Sequence, residues 1–534
     1  MVFMKLRLPF EVLFILHKLQ QGGFTAFLVG GSVRDLIMQT VTNDQTTQAL
    51  VTDYDFTTNA KPEEVQAIFP DSFYENEFGT VGVTHENLWE MLQKQYFQLP
   101  AQTIATLYQA SIKKQQRPSL IDLSQASKIH ESLLVPDQAT QKNSTQPKPF
   151  EITTYRADGT YDDHRRPTSV IWGKSIEDDL KRRDFTINAM ALNIKQTVLD
   201  DFFSQQVFPS HLELEQNQYN LVDPFDGLQD LARKEIIAVG EVDLRFKEDA
   251  LRMLRAIRFS TQLAMTINPL TLDAIKEYAP SIKYISWERI QDEFFKILSS
   301  PLPKQGIELM DQVGLLEFIM PELLEGKEVE QGGHHNTDVW THSLDSVDHC
   351  PSLDPVVRLA TLLHDIGKPR TQKVIEGKIT FYNHEIVGSR LAAKIAQRLR
   401  LSKKDSERLF ILVRYHMFHY QPQNTDASIR RFMRKVGLEN IDDILDLREA
   451  DRLGSGARKT SWRLEEMKER IVEQLNQPMD VKDLAIDGHD LIEKLNLKPG
   501  KKIGEILDQL FEEVLENPQL NTPETLLEKA KQLV

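Results

Sequence analysis

An apolar run followed by two glycines near the start of the chain predicts a strand, a tight turn and a helix. Residues 27–29 are continuously apolar, as expected of a buried strand, and the run ends at Gly30 and Gly31. Ser32 follows at a position typical of a helix N-cap, and Arg34 and Asp35 open the helix. Because the first backbone N–H groups of a helix have no partner within it, this pattern directs donors towards an anion.

A second strand is predicted at residues 53–58, where Asp53 and Asp55 lie two positions apart. The two-residue repeat of a strand places both carboxylates on one face, where they repel each other unless a divalent cation neutralises them. Oxygen ligands favour Mg²⁺, which is usually shared with substrate phosphates. An Asp-x-Asp pair alone is most often a solvated strand end. Its occurrence after the glycine turn favours nucleotidyl transfer, in which one ion activates a hydroxyl and another neutralises a triphosphate.

Later segments predict more of the same sheet. Residues 76–84 and 149–156 have the pattern of neighbouring strands, and the polar segment 158–170, with its glycine and prolines, is typical of a surface loop. Residues 86–147, between the two strands, are rich in glutamine, with helical apolar spacing at first and a polar stretch at the end.

The most informative helix is predicted at residues 248–259. Leu251 and Leu254 can face a core while Asp249 and Arg252 point together into a cleft. Cytosine and adenine each present an amino donor beside a ring-nitrogen acceptor, whereas uracil and guanine present a carbonyl acceptor beside a ring N–H donor. A carboxylate next to a guanidinium would therefore pair with C and A and leave U and G mismatched. The alternative is a structural salt bridge between helix neighbours.

Composition and charge limit the class of protein. A chain of 534 residues exceeds one hydrophobic core and predicts about three or four domains. The net charge of −15 argues against a protein that coats nucleic acid indiscriminately, although basic clusters such as residues 181–183 leave room for a local basic track. The single cysteine, Cys350, excludes an internal disulfide framework and predicts a cytoplasmic location. The apolar segment 12–16 is too short to span a membrane, so we expect neither a signal peptide nor a transmembrane helix.

The order of these motifs carries a family resemblance. Gly-Gly-Ser-Val-Arg-Asp at residues 30–35, followed by Asp-Tyr-Asp at 53–55, resembles the polymerase-beta-type nucleotidyltransferase core of class II tRNA nucleotidyltransferases (CCA-adding enzymes) and their bacterial poly(A) polymerase relatives. The resemblance implies an α+β fold, in which a head with a small mixed sheet and helices precedes an all-α neck, body and HD domain. It also implies that residues 86–147 are an insertion, because relatives join the flanking strands by a short turn.

The resemblance extends to residues that would bind the nucleotide. Residues 182–189 match the family's second motif, which holds the ribose and phosphates, and residues 248–252 match its protein template for the base. Segment 158–170 matches the loop associated with the switch from C to A addition, and Arg289 is expected to contact RNA. Asp53 and Asp55 would be the catalytic Mg²⁺ ligands. The implied nucleotide-binding residues are Gly30, Gly31, Arg34, Arg182, Arg183, Asp184, Asn188, Asp249, Arg252, Arg255 and Arg258.

Histidines and aspartates farther along the chain form a second constellation. Their order is similar to that of the HD phosphohydrolase superfamily, whose ligands are a histidine, an adjacent His-Asp pair and a distant aspartate, with extra histidines in two-metal members. Imidazole and carboxylate without thiolate suit Mg²⁺ or a transition ion such as Mn²⁺, Ni²⁺ or Co²⁺. The alternative is a domain kept as a structural or RNA-binding platform. The residues are His342, His364, Asp365, His384, His416 and Asp451.

These motifs together predict an enzyme that adds CCA to the 3′ end of tRNA from CTP and ATP without a template. Alternatives with the same chemistry are A-only addition and poly(A) addition, although the basic, aromatic signature of poly(A) polymerases is not found after Thr84. Another alternative is a metal phosphohydrolase, acting on 2′,3′-cyclic or 3′-phosphates of RNA, whose head only binds RNA. The predicted domains are the head (1–200), the base-recognising neck (201–265), the RNA-binding body (266–328), the HD domain (329–460) and a helical tail (461–534).

Overall fold

The computed structural model describes residues 5–41, 53–76, 79–95, 148–157, 171–204, 211–332 and 337–534, which form two compact units. The described residues of the first unit lie within Met1–Gln116, Asp137–Ile297 and Glu308–Phe318, and those of the second within Leu298–Ile307 and Ile319–Val534. Of the predicted insertion only residues 86–95 are described. The predicted switch loop, 158–170, lies outside the described residues.

A mixed sheet of seven strands is the centre of the first unit. Its strands are β2 (Ala26–Val29), β3 (Asp55–Thr58), β4 (Phe73–Asn76), β5 (Thr80–Val83), β6 (Phe150–Thr154), β9 (Ala191–Ile194) and β11 (Tyr219–Val222). Their spatial order is β11-β9-β2-β3-β6-β5-β4, and β3 and β6 run parallel whereas the other neighbours run antiparallel. The small mixed sheet and the α+β class predicted for the head are thereby confirmed.

Three short pairings accompany this sheet. They join β1 (Leu6–Pro9) to β10 (His211–Leu214), β7 (Arg156–Ala157) to β8 (Ile171–Trp172), and β12 (Glu235–Ile236) to β13 (Thr266–Ile267). Strands β10 and β11 fall after residue 200 but pair with strands of the head. The predicted boundary between head and neck at residue 200 therefore does not coincide with the end of the sheet.

The helices of the first unit up to residue 298 include two, α1 and α2, that both contact β2. The helices are α1 (Phe10–Gln21), α2 (Gly31–Val41), α3 (Pro62–Ile68), α4 (His85–Gln95), α5 (Ile176–Lys181), α6 (Gln196–Phe203), α7 (Gly227–Arg233), α8 (Val242–Glu248), α9 (Leu251–Leu263), α10 (Pro269–Tyr278) and α11 (Trp287–Leu298). Helix α1 is buried on nearly every face, and the rings of Phe10 and Phe14 both pack edge-on against Phe203 of α6. This apolar packing stabilises the sheet from which the candidate site is built.

The glycine turn after β2 has a steric reason. Gly30 has a φ of +72°, in the left-handed region, and a Cβ placed there would lie 2.7 Å from Nη1 of Arg183. A side chain would therefore both strain the backbone and displace the arginine. In the sheet register Val29 pairs with Asp55, so the turn lies beside the start of β3.

Four local predictions need correction. The predicted strand at residues 76–84 is shorter than expected, because β5 covers only Thr80–Val83 and Asn76 ends β4, which pairs antiparallel with β5. Asp53 precedes β3 rather than lying in it. Ser32 is not an N-cap acceptor, because it lies inside α2 and its hydroxyl donates to the Val29 carbonyl at 2.9 Å. The predicted helix 248–259 is interrupted: Asp249 is extended (φ −150°, ψ 102°), and its carboxylate accepts a hydrogen bond from the Leu251 backbone N–H at the start of α9.

Three helices lie where the chain passes from the first unit to the second: α12 (Pro303–Gln312), α13 (Leu315–Ile319) and α14 (Pro321–Leu324). The remainder of the second unit is helical apart from a hairpin of β14 (Lys373–Ile375) and β15 (Lys378–Thr380), which the sequence did not predict. Its helices are α15 (Val339–Asp348), α16 (Pro355–Leu363), α17 (Lys368–Thr371), α18 (His384–Arg398), α19 (Lys403–Tyr415), α20 (Asp426–Val436), α21 (Ile441–Gly454), α22 (Trp462–Gln474), α23 (Gly488–Leu495), α24 (Lys501–Glu516) and α25 (Pro523–Leu533). Across the described ranges, no helix combines the length and the apolar character needed to cross a lipid bilayer.

Candidate active site and histidine cluster

A polar cavity of about 580 Å³ in the first unit collects all of the catalytic and nucleotide-binding residues predicted for the head and neck. They come from the glycine turn and the start of α2, from the start of β3, and from segments 182–188 and 249–258. Five further lining residues were not predicted as nucleotide ligands: Ser32, Asp35, Leu251, Phe259 and Arg289.

The two aspartates of the cavity have different surroundings. Asp53 is exposed, and its carboxylate accepts a hydrogen bond from Nζ of Lys148 at 3.1 Å. Asp55 is half-buried, and burial together with the negative charges of Asp53 and Glu151 raises its pKa to about 6. Glu151 pairs with Asp55 across β3 and β6 and also contacts Nζ of Lys148, at 2.7 Å. The sequence analysis missed Glu151, although the two-residue alternation in strand 149–156 was a signal for it.

These three carboxylates fit a divalent cation. The raised pKa of Asp55 means that burial and like charge destabilise its ionised form, and a cation between the carboxylates would remove that penalty. An oxygen-only donor set is the one that Mg²⁺ prefers. Asp53 and Asp55 are therefore suited to hold the ions, with Glu151 close by.

Buried carboxylates order the arginines that line the cavity. Asp179 of α5 accepts hydrogen bonds from Nε of Arg182 at 3.2 Å and from Nη2 of Arg183 at 3.0 Å. Asp184 accepts one from Nε of Arg255 at 2.7 Å; although burial alone would raise the pKa of Asp184, the Arg255 charge lowers it to about 2. Guanidinium groups held in this way lose little further freedom when an anion binds.

A chain of hydrogen bonds joins Asp184 to the start of α2. Asn188 donates from Nδ2 to Asp184 at 3.2 Å and accepts from Nη1 of Arg34 at 2.7 Å. The family resemblance predicts that Asp184 and Asn188 contact the nucleotide. Both residues line the cavity. Asn188 also holds the side chain of Arg34 in place, and Asp184 holds that of Arg255.

The two residues expected to read the base, Asp249 and Arg252, line the same cavity but have separate partners. Asp249 accepts a hydrogen bond from Nη2 of Arg289 at 2.6 Å. Arg252 donates to Oε2 of Glu248 at 2.7 Å and to the carbonyl of Arg182 at 2.9 Å. Arg289 therefore fixes the orientation of Asp249, a role that the sequence analysis did not assign.

The ring of Phe259 lies beside two arginines of α9 and one of α2. The guanidinium carbon of Arg258 lies 3.9 Å from the ring centroid, and those of Arg34 and Arg255 lie at 5.2 and 5.5 Å. Nε of Arg258 also donates to Glu293 at 2.6 Å. These contacts hold the guanidinium groups of Arg34, Arg255 and Arg258 beside one aromatic ring.

The second unit brings together all six residues of the predicted HD constellation. They form two groups, His342, His364 and Asp451, and Asp365, His384 and His416; within each group the possible ligand atoms lie within 4.8 Å of one another. We call these six residues the His/Asp cluster. They are contributed by α15, the ends of α16 and α19, the start of α18, and α21.

Asp365 lies between the two groups of the cluster. Its Oδ2 lies 3.2 Å from Nε2 of His364, and its Oδ1 lies 3.3 Å from Nε2 of His384. Although burial alone would raise the pKa of Asp365, the charges of His364 and Lys368 hold it well below its usual range. Because one oxygen of Asp365 faces each group of the cluster, its carboxylate could contact a cation in either group.

The hydrogen bonds of two imidazoles, those of His384 and His416, also fit bound cations. Nδ1 of His384 and Nδ1 of His416 each lie 2.8 Å from a backbone carbonyl, so both nitrogens carry the hydrogen that the carbonyl requires. In the neutral rings Nε2 is then a lone-pair acceptor, and the two Nε2 atoms face each other at 3.3 Å. Burial, followed by the positive charge of His364, lowers the pKa of His416 to about 3, which disfavours a proton there. Donor atoms about 3.0–3.5 Å apart are what bonds of about 2.1 Å to one ion produce.

A close backbone contact supports the cluster. Gly367 follows the His-Asp pair, and a Cβ on this residue would lie 2.1 Å from the carbonyl oxygen of His384. Only glycine lets the chain after Asp365 approach the start of α18 in this way. The sequence analysis identified the residues of the cluster but not this packing requirement.

Three family models match the sequence. The poly(A) polymerase head domain matches residues 26–125 and 124–206, the probable RNA- and SrmB-binding site of polymerase A matches residues 264–326, and the putative tRNA nucleotidyltransferase domain 2 matches residues 390–530. The first of these includes the glycine turn, the aspartate pair and the 182–188 segment of the cavity.

Curated proteins with similar sequences carry related names. The chain is 35% identical to the A-adding tRNA nucleotidyltransferase of Deinococcus radiodurans, over 63% of this chain and 75% of that protein. It is 31% identical to the CCA-adding enzyme of Geobacillus kaustophilus, and this alignment spans 58% of this chain and only 55% of that protein. It is 28% identical to the CCA-adding enzyme of Ligilactobacillus salivarius, over 97% and 95% of the two chains.

Solved structures share the fold. The CCA-adding enzyme of Bacillus stearothermophilus in complex with CTP superposes with a TM-score of 0.61 at 24% identity, covering 98% of this chain and 97% of that one. An apo CCA-adding enzyme structure superposes with a TM-score of 0.53 at 17% identity, covering 99% and 100%. At these identities the likeness supports the fold, a mixed head sheet followed by helices.

Proposed function

The chain belongs to the tRNA nucleotidyltransferase family, and from this premise we propose that it adds C, C and A in turn to the 3′ end of tRNA, using CTP and ATP. The observation that carries the proposal is the cavity of the first unit, in which two aspartates lie in one pocket with ordered arginines. A triphosphate bound to the arginines would lie next to the carboxylates. Relatives named as CCA-adding enzymes and as an A-adding enzyme support the reaction class.

Different residues of the cavity would have different roles in nucleotide transfer. The O3′ of the tRNA would attack the α-phosphorus of the nucleotide, forming one P–O bond while the bond to the leaving pyrophosphate breaks. Arg34, Arg182 and Arg183 would bind the triphosphate, together with backbone N–H groups at the start of α2. Asp53 and Asp55 would hold Mg²⁺, which when bound supplies charge neutralisation and activation of the hydroxyl.

Base selection would rest on Asp249 and Arg252. The Asp249 carboxylate would accept from the amino group of cytosine or adenine, and the Arg252 guanidinium would donate to the ring nitrogen. Both residues already have hydrogen-bond partners, Arg289 and Glu248, which would hold their orientation while the base binds. Uracil and guanine would place an acceptor against the carboxylate and a donor against the guanidinium.

Three tRNA substrates test the proposal. The protein receives tRNA ending before CCA, tRNA ending in C and tRNA ending in CC, each with CTP, ATP or both, and the products are separated on a sequencing gel. Full CCA addition predicts three, two and one added nucleotides when both triphosphates are present. Extension of the CC substrate alone, with ATP, would show A-only addition, and long tails on all three would show poly(A) addition.

A second activity is favoured by a specific observation, the convergence of six ligand-type side chains in the His/Asp cluster. We propose that the cluster holds one or two divalent ions, Mn²⁺, Ni²⁺, Co²⁺ or Mg²⁺, and hydrolyses phosphate esters at RNA ends. A bound ion would supply a hydroxide from water near neutral pH. The esters proposed are a 2′,3′-cyclic phosphate or a 3′-phosphate, because neither leaves the free 3′-hydroxyl that nucleotide addition requires.

The hydrolase proposal is tested on the full chain loaded with each ion in turn. RNA ending in a 2′,3′-cyclic phosphate or a 3′-phosphate is incubated with the parent protein and with the double variant His364→Ala/Asp365→Ala. We expect hydrolysis by the parent and a loss of at least about a hundredfold in the variant, together with loss of bound metal measured by elemental analysis. A parent protein that hydrolyses neither ester with any of the four ions would support the alternative of a structural platform.

A further inference from the structure

The second unit has a small cavity, and two parts of its lining are close in sequence to residues of the His/Asp cluster. It measures about 230 Å³, and we call it the aromatic cavity. One part of its lining, Phe418 to Tyr420, follows two residues after the cluster histidine His416, and another part comes from the turn of α21 that carries Asp451. The residues that matter here are Phe418, Tyr420, Arg448, Arg452, Trp462 and Arg463.

The aromatic side chains of this cavity offer flat surfaces to a ligand. Trp462, at the start of α22, is 62% exposed, which is unusual for the largest apolar side chain. Phe418 is half-buried against Phe432, with ring centroids 4.9 Å apart. Indole and phenyl faces bind nucleobases by stacking, whatever the base.

The charge of the lining is positive. Among the described residues that line the cavity there are three arginines and no carboxylate. Arg452 donates to the backbone carbonyls of Arg458 and Thr460, at 3.2 and 3.3 Å, and these neutral acceptors leave its charge available to an anion. Guanidinium groups bind phosphate oxygens with two parallel hydrogen bonds.

Arg448 connects the cavity to the cluster. Its Nη1 donates to Oδ2 of Asp451 at 2.9 Å, and its guanidinium carbon lies 5.8 Å from the Phe418 ring centroid. Oδ1 of the same aspartate lies 3.2 Å from Nε2 of His342. A phosphate held at Arg448 would therefore lie at the border between the aromatic surfaces and the ligand atoms of the cluster.

We propose that the aromatic cavity binds the base of a ribonucleoside phosphate and presents its phosphate to the His/Asp cluster. This inference rests on the hydrolase activity proposed above and names its substrate class. A volume of about 230 Å³ is below the roughly 300 Å³ at which pockets for whole small ligands begin, so one base enters and the phosphate stays at the rim. The ligand is either the 3′-terminal nucleotide of an RNA or a free mononucleotide.

Binding tests the proposal without hydrolysis. The full chain is titrated, in the presence of a chelator, with adenosine 3′-phosphate and with a pentaribonucleotide that ends in a 3′-phosphate. Loss of stacking in Trp462→Ala should weaken binding about tenfold, whereas Trp462→Phe should keep most of it. Arg452→Gln should weaken binding about fivefold and reduce its salt dependence, and Arg452→Lys less so. Tyr74→Ala, which removes an exposed aromatic of the head sheet outside both cavities, is the matched control and should change nothing.

The two probes and a hydrolysis assay separate the outcomes. An effect of Trp462→Ala on the pentanucleotide alone identifies an RNA end as the ligand, and an equal effect on both probes identifies the nucleotide itself. Equal affinity of parent and Trp462→Ala for both probes overturns the proposal. With the metal-loaded protein, Trp462→Ala should raise KM for the RNA ester and leave kcat nearly unchanged. If the parent hydrolyses the ester and Trp462→Ala changes neither KM nor affinity, the cavity does not bind the substrate, although the hydrolase proposal stands. If binding depends on Trp462 but no ester is hydrolysed, the cavity binds the nucleotide and the hydrolase proposal fails.

Discussion

Asp55 in the first unit and Asp365 in the second are both acidic groups placed near other charges, but their surroundings differ. Asp55 borders an open cavity, and burial and neighbouring carboxylates raise its pKa to about 6. Asp365 is 2% exposed, and imidazoles and Lys368 hold its pKa well below the usual range. Burial, together with the like charges of Asp53 and Glu151, therefore disfavours the ionised form of Asp55. The cluster is compensated in part by its own side chains.

The two sites also differ in how open they are to solvent. In the head, ordered arginines meet an open cavity of about 580 Å³, which has room for a nucleotide. In the cluster, five of the six residues are buried, and Asp451 is the member that is partly exposed. The fold thus places an open polar cavity in one unit and a mostly buried His/Asp cluster in the other.

The largest effect is expected from the head carboxylates. Asp53→Ala or Asp55→Ala should reduce nucleotide incorporation on the order of a thousandfold, because each removes an ion ligand and the charge compensation it supplies. The measurement is single-turnover addition to tRNA, with tRNA affinity and the unfolding midpoint as controls. Incorporation within about tenfold of the parent by either variant would contradict the assignment of the ion ligands. His364→Ala/Asp365→Ala is the matched variant of the cluster and should leave incorporation unchanged.

The next effect concerns selectivity. Asp249→Ala should relax discrimination against UTP and GTP by about a hundredfold, because the acceptor that rejects their carbonyls is lost. Arg289→Ala should produce a smaller effect of the same kind, since Arg289 orients Asp249 from 2.6 Å, and Arg289→Lys should restore part of it. The measurement is kcat/KM for all four triphosphates. A uniform loss with unchanged ratios would show that the pair is structural.

A third prediction uses a buried carboxyl of the head that lies outside the cavity. Burial raises the pKa of Glu11 in α1 from 4.5 to about 7. Its protonated form is favoured in the folded state, so this stability is fully present below pH 4.5 and is lost as the pH rises through 7. Glu11→Gln cannot ionise, and its stability relative to the parent should therefore increase by about 2.5 kcal/mol between pH 5 and pH 8. Unfolding in denaturant at both values checks this, and a difference that does not change with pH would contradict it.

The smallest effect is expected from chelation. With Mn²⁺ at ten times its dissociation constant, removal of the ion should lower the stability of the folded cluster by about 1.4 kcal/mol. Hydrogen exchange should quicken in α15, α16 and α18, which carry cluster residues, and remain unchanged in α1. The double variant His364→Ala/Asp365→Ala should show no response to the chelator. An equal response in the variant would place the stabilising ion elsewhere.

Much of both sites could be predicted from local sequence, because their chemistry is carried by short motifs. The glycine turn, the aspartate pair and the Arg-Arg-Asp segment each lie within a few residues, and all of them line one cavity. The order of histidines and aspartates likewise indicated the cluster, and the structure brings all six together. Family resemblance added the roles of these residues, which composition and spacing alone leave open.

The predicted helix 248–259 and the predicted strand 76–84 needed correction because each sequence pattern is compatible with two structures. The apolar spacing of residues 248–259 suits one helix, but an aspartate that caps the following turn divides it at Asp249. The alternation around residues 76–84 suits one long strand, but the described residues divide between the end of β4 at Asn76 and β5 at Thr80–Val83, which pair with each other. In both places the backbone interaction that decided the structure involves only one or two residues, too few to alter the periodicity of the segment.

The order of amino acids specifies which groups this protein has for chemistry: carboxylates for ions, arginines for phosphates, and a histidine and aspartate series for a second site. Which of these groups lie together depends on the folded chain. The pairing of Asp184 with Arg255, of Asp249 with Arg289 and of Asp55 with Glu151 joins residues 71, 40 and 96 positions apart. The physical reason is that hydrogen bonds and charges act over a few ångströms of space, and the separation of residues along the chain does not specify that distance.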